Sequence, residues 1–376
     1  MKEGASVREP VRRGIGGEFG LSPALLKSPG TCNRIPVRDG RLVWLNSGRA
    51  ALQWAWEALR QRHPDRSTCL LPGYLCPSVV QPFKEAGARI AFYRLDHRLQ
   101  IDLDDLSSRL GPDVLAVVII HYFGFPQPGP VLDLMESTDP PVYVIEDATH
   151  AWLSRAGDEK PPGQRGAITI YSPRKFFPIP DGGMAVVGDR DLRLNQVAPT
   201  DWHFALRRTT GLFLRWLFAR TGMEAVNRVA LALLHRAEQE LDTSISRSQA
   251  SWLSRRILLN LDIQGAAECR RRNYRILNEE MRSRQLPVWP LYEELPPGVT
   301  PLGLPVTCER RDDLRQFLIE RRVYPPVHWF LPPEQGLARF PHLVELSRRI
   351  LTLPIDQRYN STDMTYILDC LSAWAS

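Results

Sequence analysis

Between residues 67 and 187 the chain alternates apolar runs of strand length with segments whose apolar positions recur every three or four residues. The runs are STCLLP (67–72), RIAFY (89–93), VLAVVII (114–120), VYVIE (142–146), ITIY (168–171) and MAVV (184–187). Helical spacing marks AALQWAWEALRQRH (50–63) and SVVQPFKEAG (78–87). Strands that are apolar throughout are buried on both faces, so the pattern predicts an α/β fold with a mostly parallel sheet between helices. The final stretch changes character. Helices are expected at 269–285, 311–322 and 361–375, with a β-like segment at GLPVTC (303–308), which predicts a smaller C-terminal α+β domain. Residues 1–40 are rich in Gly, Pro and Arg and read as a mostly irregular arm, with GGEFGL (16–21) its one structured patch. The expected organisation is an arm at 1–40, a large domain at 41–250 carrying a helical insertion at 202–241, and a small domain at 251–376.

Composition narrows the function classes. The 376 residues are 43% hydrophobic, enough for a large core. A net charge of +6 is spread along the chain and not blocked, so nucleic-acid binding is not implied. The six cysteines form no CxxC pair and no metal-ligand spacing, and the first ten residues lack the apolar stretch of a signal peptide. Cytoplasmic location without a metal is the expectation. No apolar run approaches membrane-spanning length.

An open α/β sheet binds ligands beyond the carboxyl ends of its strands. There the sequence places HYFG after residue 120, DATH after 146 and SPRK, ending in Lys175, after ITIY. NSGRAAL (46–52) opens the first long helix, where the free amides of Ser47, Gly48 and Arg49 suit a phosphate. Each element has an ordinary explanation when taken singly: a solvated lysine, a capping aspartate, a helix start, a capping histidine. Together, an amine, a carboxylate, an imidazole and an anion cradle match the needs of pyridoxal phosphate: a Schiff-base lysine, an acid facing the pyridine nitrogen and a phosphate cup.

On SGRAAL, LPGYLCPSVV, VIIHYFG, VIEDATHAW, SPRKFFPIPDGGMAVV, RRRNY and LTLPI, the chain resembles the DegT/DnrJ/EryC1/StrS aminotransferases. That resemblance implies the fold-type I architecture of pyridoxal 5′-phosphate (PLP)-dependent transferases, with a seven-stranded mostly parallel sheet. It also implies a homodimer and transfer of an amino group, from L-glutamate, to a nucleotide-linked keto sugar by ping-pong kinetics, serving amino-sugar and polysaccharide biosynthesis. Matched motif by motif, Lys175 is the Schiff-base lysine, Asp147 the partner of the pyridine nitrogen and His150 the neighbour of the ring hydroxyl. Ser47, Gly48, Arg49 and Ser172 take the phosphate side. Lysine at 175 favours transamination over the family's dehydratase branch.

The motifs also depart from the family pattern. Ile170 and Ser172 stand where Ser and His are usual before the lysine, and Arg49 replaces the usual Thr or Ser. Cys76 holds the place of the aromatic that stacks on the cofactor, leaving Tyr74 or Tyr122 as alternatives, and the Asn-x-Arg that reaches a neighbouring subunit's phosphate is not evident in 242–249. These departures leave room for a same-fold transaminase on a substrate without a nucleotide, or for a PLP-binding regulator that has lost turnover. Candidates for the acceptor pocket are Glu18, Phe19, His121, Tyr122, His328 and Tyr359, with Arg358 a candidate anion partner. The insertion at 202–241 combines Arg215, Arg220, Arg228 and Arg236 with Trp216, Phe213 and Phe218. It suits an anionic membrane surface or, as the preferred reading, packing over the crevice or across a dimer interface with arginines outward.

Overall fold

The computed structural model describes residues 14–27, 37–155, 162–163, 165–331 and 339–375. Its strands are β1 (Ile15–Gly16), β2 (Arg41–Leu45), β3 (Thr68–Pro72), β4 (Arg89–Tyr93), β5 (Val114–Ile120), β6 (Tyr143–Asp147), β7 (Ile168–Tyr171), β8 (Gly183–Val187), β9 (Trp289–Pro290), β10 (Leu304–Thr307), β11 (Val323–Tyr324) and β12 (Ile350–Leu353). The helices are α1 (Ala24–Lys27), α2 (Gly48–Arg62), α3 (Pro77–Glu85), α4 (Leu103–Ser108), α5 (Pro130–Glu136), α6 (Trp202–Thr221), α7 (Glu224–Thr243), α8 (Trp252–Leu258), α9 (Ile263–Ser283), α10 (Arg311–Glu320), α11 (Pro341–Arg349) and α12 (Ser361–Ala375).

Seven strands form one sheet in the order β2-β8-β7-β6-β5-β3-β4. Only β8 runs antiparallel to its two neighbours, β2 and β7. All six apolar runs lie in this sheet, and all seven residues of β5 are buried. The seventh strand, β2, lies outside the six runs and is an edge strand with only two of five residues buried. α2 starts where Ser47 Oγ accepts the Ala50 amide, and it buries Leu52, Trp54, Trp56 and Leu59 against the sheet. Each such side chain contributes up to about 1.5–3 kcal/mol, an upper bound because the unfolded chain is already partly collapsed.

The C-terminal part builds a three-stranded sheet, β12-β10-β9, packed with α9, α10 and α12 around its own core. The arm is more ordered at its described end than a Gly-Pro-rich composition suggests. β1 pairs in parallel with β11, Leu21 N donates to Leu212 O, and Arg358 donates to the carbonyls of Gly17 and Glu18. Residues 15–21 are therefore threaded between the small sheet and α6.

The insertion is an antiparallel hairpin of two 20-residue helices. Asp201 caps α6 at the Phe204 amide, and Gly222 closes it with φ +69°. Gly211 lets the helices close up, since a Cβ there would stand 2.7 Å from Leu234 Cγ. Arg220, Arg228 and Arg236 face outward, as expected, but Arg208 turns inward and is 3% exposed. Among the described residues no helix is long and apolar enough to cross a membrane.

Candidate active site

Three neighbouring strands deliver their carboxyl ends to one place. β6 ends in Asp147, β7 leads into Ser172 and a tight turn in which Lys175 N donates to Ser172 O at 3.2 Å, and β5 leads into His121. The loop after Lys175 is tied down by Asp181, whose carboxylate accepts from the Ser251 and Ser254 hydroxyls at the start of α8. Gly183 then allows close approach to the start of α2: a Cβ there would lie 2.0 Å from Ser47 O. Gly183 of PDGG is thus a packing requirement of the α2 N-terminus, whereas Gly182 takes a backbone conformation, φ +137°, that favours glycine.

Around this point lies a cavity of about 340 Å³, lined by Ser47, Gly48, Arg49, Cys76, Asp147, Thr149, His150, Ser172 and Lys175. Glu18, Arg174, Arg208, Glu238 and Trp329 complete the wall. Asp147 is 3% exposed, and its Oδ1 accepts from Thr149 N at 2.9 Å. Lys175 exposes surface only partly covered by packing and lines this cavity together with a second, smaller one of about 190 Å³. Crowding protein atoms lower its pKa, with Cys76 and Asp147 acting in the opposite sense.

His150 and Lys175 fix each other's protonation. His150 Nδ1 accepts from Phe123 N at 3.4 Å, which leaves Nε2 to carry the ring proton and donate it to Lys175 Nζ at 2.9 Å. That bond requires the neutral amine. Burial pushes the His150 pKa well down, in keeping with a neutral ring.

The hairpin supplies charge that the motifs do not announce. Glu238 of α7 bonds both Arg174 and Arg208, the latter at 2.7 Å. Glu18 lies 3.9 Å from Arg208, and Asp242 pairs with Arg49 at 2.7 Å. Burial alone would raise the Glu238 pKa, but the two arginines outweigh it and hold it at about 2. Arg208 is lowered to about 10, by burial first and Arg174 second. These residues carried no sequence signal beyond helical spacing; only the fold turns them inward.

Not every candidate reaches the site. Phe19 and His328 line the smaller cavity, with Arg358. Tyr74 and Tyr122 line neither: Tyr122 OH donates to Tyr74 O, and Tyr74 OH to His328 O, so both support the chain beneath the site. The aromatic on the cavity is instead Trp329, stacked on His150 at 5.3 Å. His121 pairs with buried Glu146 at 3.1 Å, and Tyr359 OH accepts from Gly16 N at 2.6 Å, so both hold structure together away from the cavities. Tyr359 thereby anchors the arm that carries Phe19.

The fit of PLP can be judged from these residues. The first-turn amides of α2, the Ser172 hydroxyl and Arg174 Nε, a buried N–H without a hydrogen-bond partner, suit a phosphate. Asp147 suits a protonated ring nitrogen, and Lys175 an aldehyde. No group of three or more His, Cys, Asp or Glu suited to a metal occurs among the described residues.

The fold is that of the fold-type I transferases. Residues 37–211, which hold the strand-end motifs, match the sequence model of the DegT/DnrJ/EryC1/StrS aminotransferase family. It is 23% identical over 372 residues to the dTDP-4-dehydro-2,3,6-trideoxy-D-glucose 4-aminotransferase of Saccharopolyspora spinosa, a match covering 90% of this chain and 85% of that one. DesV of S. venezuelae, solved in complex with a ketimine intermediate, superposes with a TM-score of 0.65 at 19% identity, covering 91% of this chain and 86% of that one. DesI, solved in the presence of its TDP-sugar product, gives 0.65 at 17% identity, covering 99% and 94%. At such identities the superpositions establish the fold.

Proposed function

We propose that the chain moves an amino group from L-glutamate to the keto carbon of a nucleotide-linked sugar, with PLP held in the larger cavity. The observation that carries this is the convergence of Lys175, Asp147 and the α2 amides on one cavity. PLP, when bound, supplies an electron sink for the bond that breaks at the amino-bearing carbon. Asp147 would hold the proton on the ring nitrogen by opposite charge. Ser47, Gly48, Arg49, Ser172 and Arg174 would hold the phosphate. Lys175 Nζ, neutral and hydrogen-bonded to His150, takes the proton from the donor carbon and later returns it at the acceptor carbon.

The nucleotide is suggested by the dTDP-linked substrate in the relative's name. A keto substrate without a nucleotide is the second reading. It is favoured by the smaller cavity, whose 190 Å³ lies below the roughly 300–1,000 Å³ typical of ligand pockets. Lys175 and Asp147 together on one cavity weigh against a regulator without turnover. We further propose a cytoplasmic homodimer. The free cysteines among the described residues support the first term, and the exposed Trp202, Leu206, Phe213 and Trp252 support the second.

The test is a screen of nucleotide-linked and free keto sugars with L-glutamate, scored by 2-oxoglutarate release and by the aminated product. Turnover with a nucleotide-linked sugar is the expected result. Turnover with free keto sugars alone would replace the first reading by the second.

A further inference from the structure

The α6–α7 hairpin lends Arg208, Glu238 and Leu241 to the larger cavity, and its outer face lines neither cavity. α7 buries Ala230, Leu234, Ala237 and Leu241, a spacing of four, three and four that turns one stripe of the helix inward. The rest of the helix surface exposes Arg228, Val229, Leu231, Ala232, His235 and Arg236. Val229 is 54% and Leu231 44% exposed. At the hairpin tip Met223 is 55% exposed, and the Arg220 guanidinium stands 5.1 Å over the ring of Trp216.

Charge is segregated across this hairpin. Glu238, the one acid between residues 225 and 239, bonds Arg174 and Arg208. Glu240 pairs with Arg207, and Asp242 with Arg49 at 2.7 Å. Glu224, in the first turn of α7, accepts from Asn227 Nδ2 at 3.2 Å. The carboxylates are thus spent on partners within the protein. Arg220, Arg228 and Arg236, in contrast, form no ion pair among the described residues. The outcome is a face about 20 Å long in which unpaired guanidinium groups alternate with exposed Val and Leu.

A lone exposed arginine or leucine is ordinary, but their interleaving on one acid-free face selects among partners. An anionic bilayer receives both kinds of side chain, guanidinium groups at the headgroup phosphates and apolar groups at the acyl boundary beneath. A second copy presenting the same face would set arginine against arginine with no outward acid between them. Nucleic acid would engage the arginines and leave Met223, Val229 and Leu231 without a use.

We propose that the outer face of α7, together with the hairpin tip, docks the protein peripherally on an anionic lipid surface. Arg220, Arg228 and Arg236 meet the headgroup phosphates, and Met223, Val229 and Leu231 enter the boundary below. The docking face is separate from the residues that line the larger cavity, so lipid binding and PLP binding are separable.

Co-sedimentation with vesicles tests this, using phosphatidylcholine alone and an equal mixture with phosphatidylglycerol. Wild type is expected to bind the mixed vesicles and not the neutral ones, with affinity falling about tenfold or more as salt rises from roughly 0.05 to 0.5 M. Arg228→Gln combined with Arg236→Gln should weaken binding about tenfold or more, and lysine at both positions should restore most of it. Val229→Ser with Leu231→Ser should weaken it several-fold while leaving its salt dependence unchanged. PLP affinity and thermal midpoint should stay as in wild type in every variant, which separates lost docking from lost folding. No binding of wild type to mixed vesicles at low salt overturns the proposal, as does equal binding to neutral vesicles. A folded double glutamine variant that binds like wild type also overturns it. If that variant instead changes only the oligomeric state in sedimentation velocity, the face belongs to a second copy and the lipid assignment fails. Equal affinity for a DNA duplex and for the mixed vesicles would likewise defeat it, marking a site for any polyanion.

Discussion

Two cavities share Lys175 and are built in opposite ways. The larger is assembled from short contiguous motifs at the ends of adjacent strands and at the start of α2, so each contributing residue stands next to a recognisable run. Its charges are balanced within the protein: Glu238 and Glu18 answer Arg174 and Arg208, and Asp242 answers Arg49. The smaller is assembled from the arm, α9, residues 302–303, residues 324–328 and the C-terminal segment, where Asp356 pairs with Arg358 and also acts on Arg270. Most of the following substitutions should therefore affect one and spare the other.

The largest separation is expected from Gly183→Val. A side chain there collides with Ser47 O and displaces the α2 amides, so PLP affinity should fall by about 100-fold or more, while the smaller cavity, which Gly183 does not line, keeps its shape. Equilibrium titration of PLP checks it, and unchanged affinity would refute the packing role of Gly183. Glu238→Gln comes next. It leaves buried Arg208 with Glu18 and Asp181 as its remaining negative neighbours and should cost about 2–3 kcal/mol in urea unfolding, below the range for a fully buried pair because over a third of the Glu238 side chain is exposed.

The same residue predicts a pH dependence whose sign follows from its depressed pKa. The stability Glu238 contributes is full above its ordinary value of 4.5 and disappears as pH falls toward about 2. Thermal midpoints of wild type and Glu238→Gln should accordingly converge over that window, and parallel curves would refute the assignment. The smallest effect is expected from Gln357→Leu, which removes the link between Phe176 O and Arg270 Nε. About 1 kcal/mol of stability in urea unfolding should be lost with PLP affinity unchanged.

The same contrast explains what the sequence could reveal. The sheet was legible because β3 to β8 each carry an apolar run, and the cofactor side because Asp147 ends one of those strands and His150, Ser172 and Lys175 follow others within four residues. β2, RLVWL, was passed over although it is as apolar as the other edge strand, β4, RIAFY. Arg208 and Glu238 read as ordinary helical charges because their inward turn depends on how α6 and α7 pack, which no local spacing encodes. Tyr74 and Tyr122 were attractive for being near the right motif, but their hydroxyls are spent on Tyr74 O and His328 O, and Trp329, more than 200 residues away in sequence, reaches the cavity in their place. Arg270 sat in an arginine run, RRR, whose members differ only in which way α9 faces.

The central claim, that Lys175 carries the reactive amine of an aminotransferase site, is tested most directly by the visible absorption of the protein with PLP, before and after L-glutamate, alongside Lys175→Ala. The account predicts a yellow band in wild type that fades with glutamate, and an altered band in the variant that glutamate leaves unchanged. Wild type without a band, or a variant indistinguishable from it, would contradict the account.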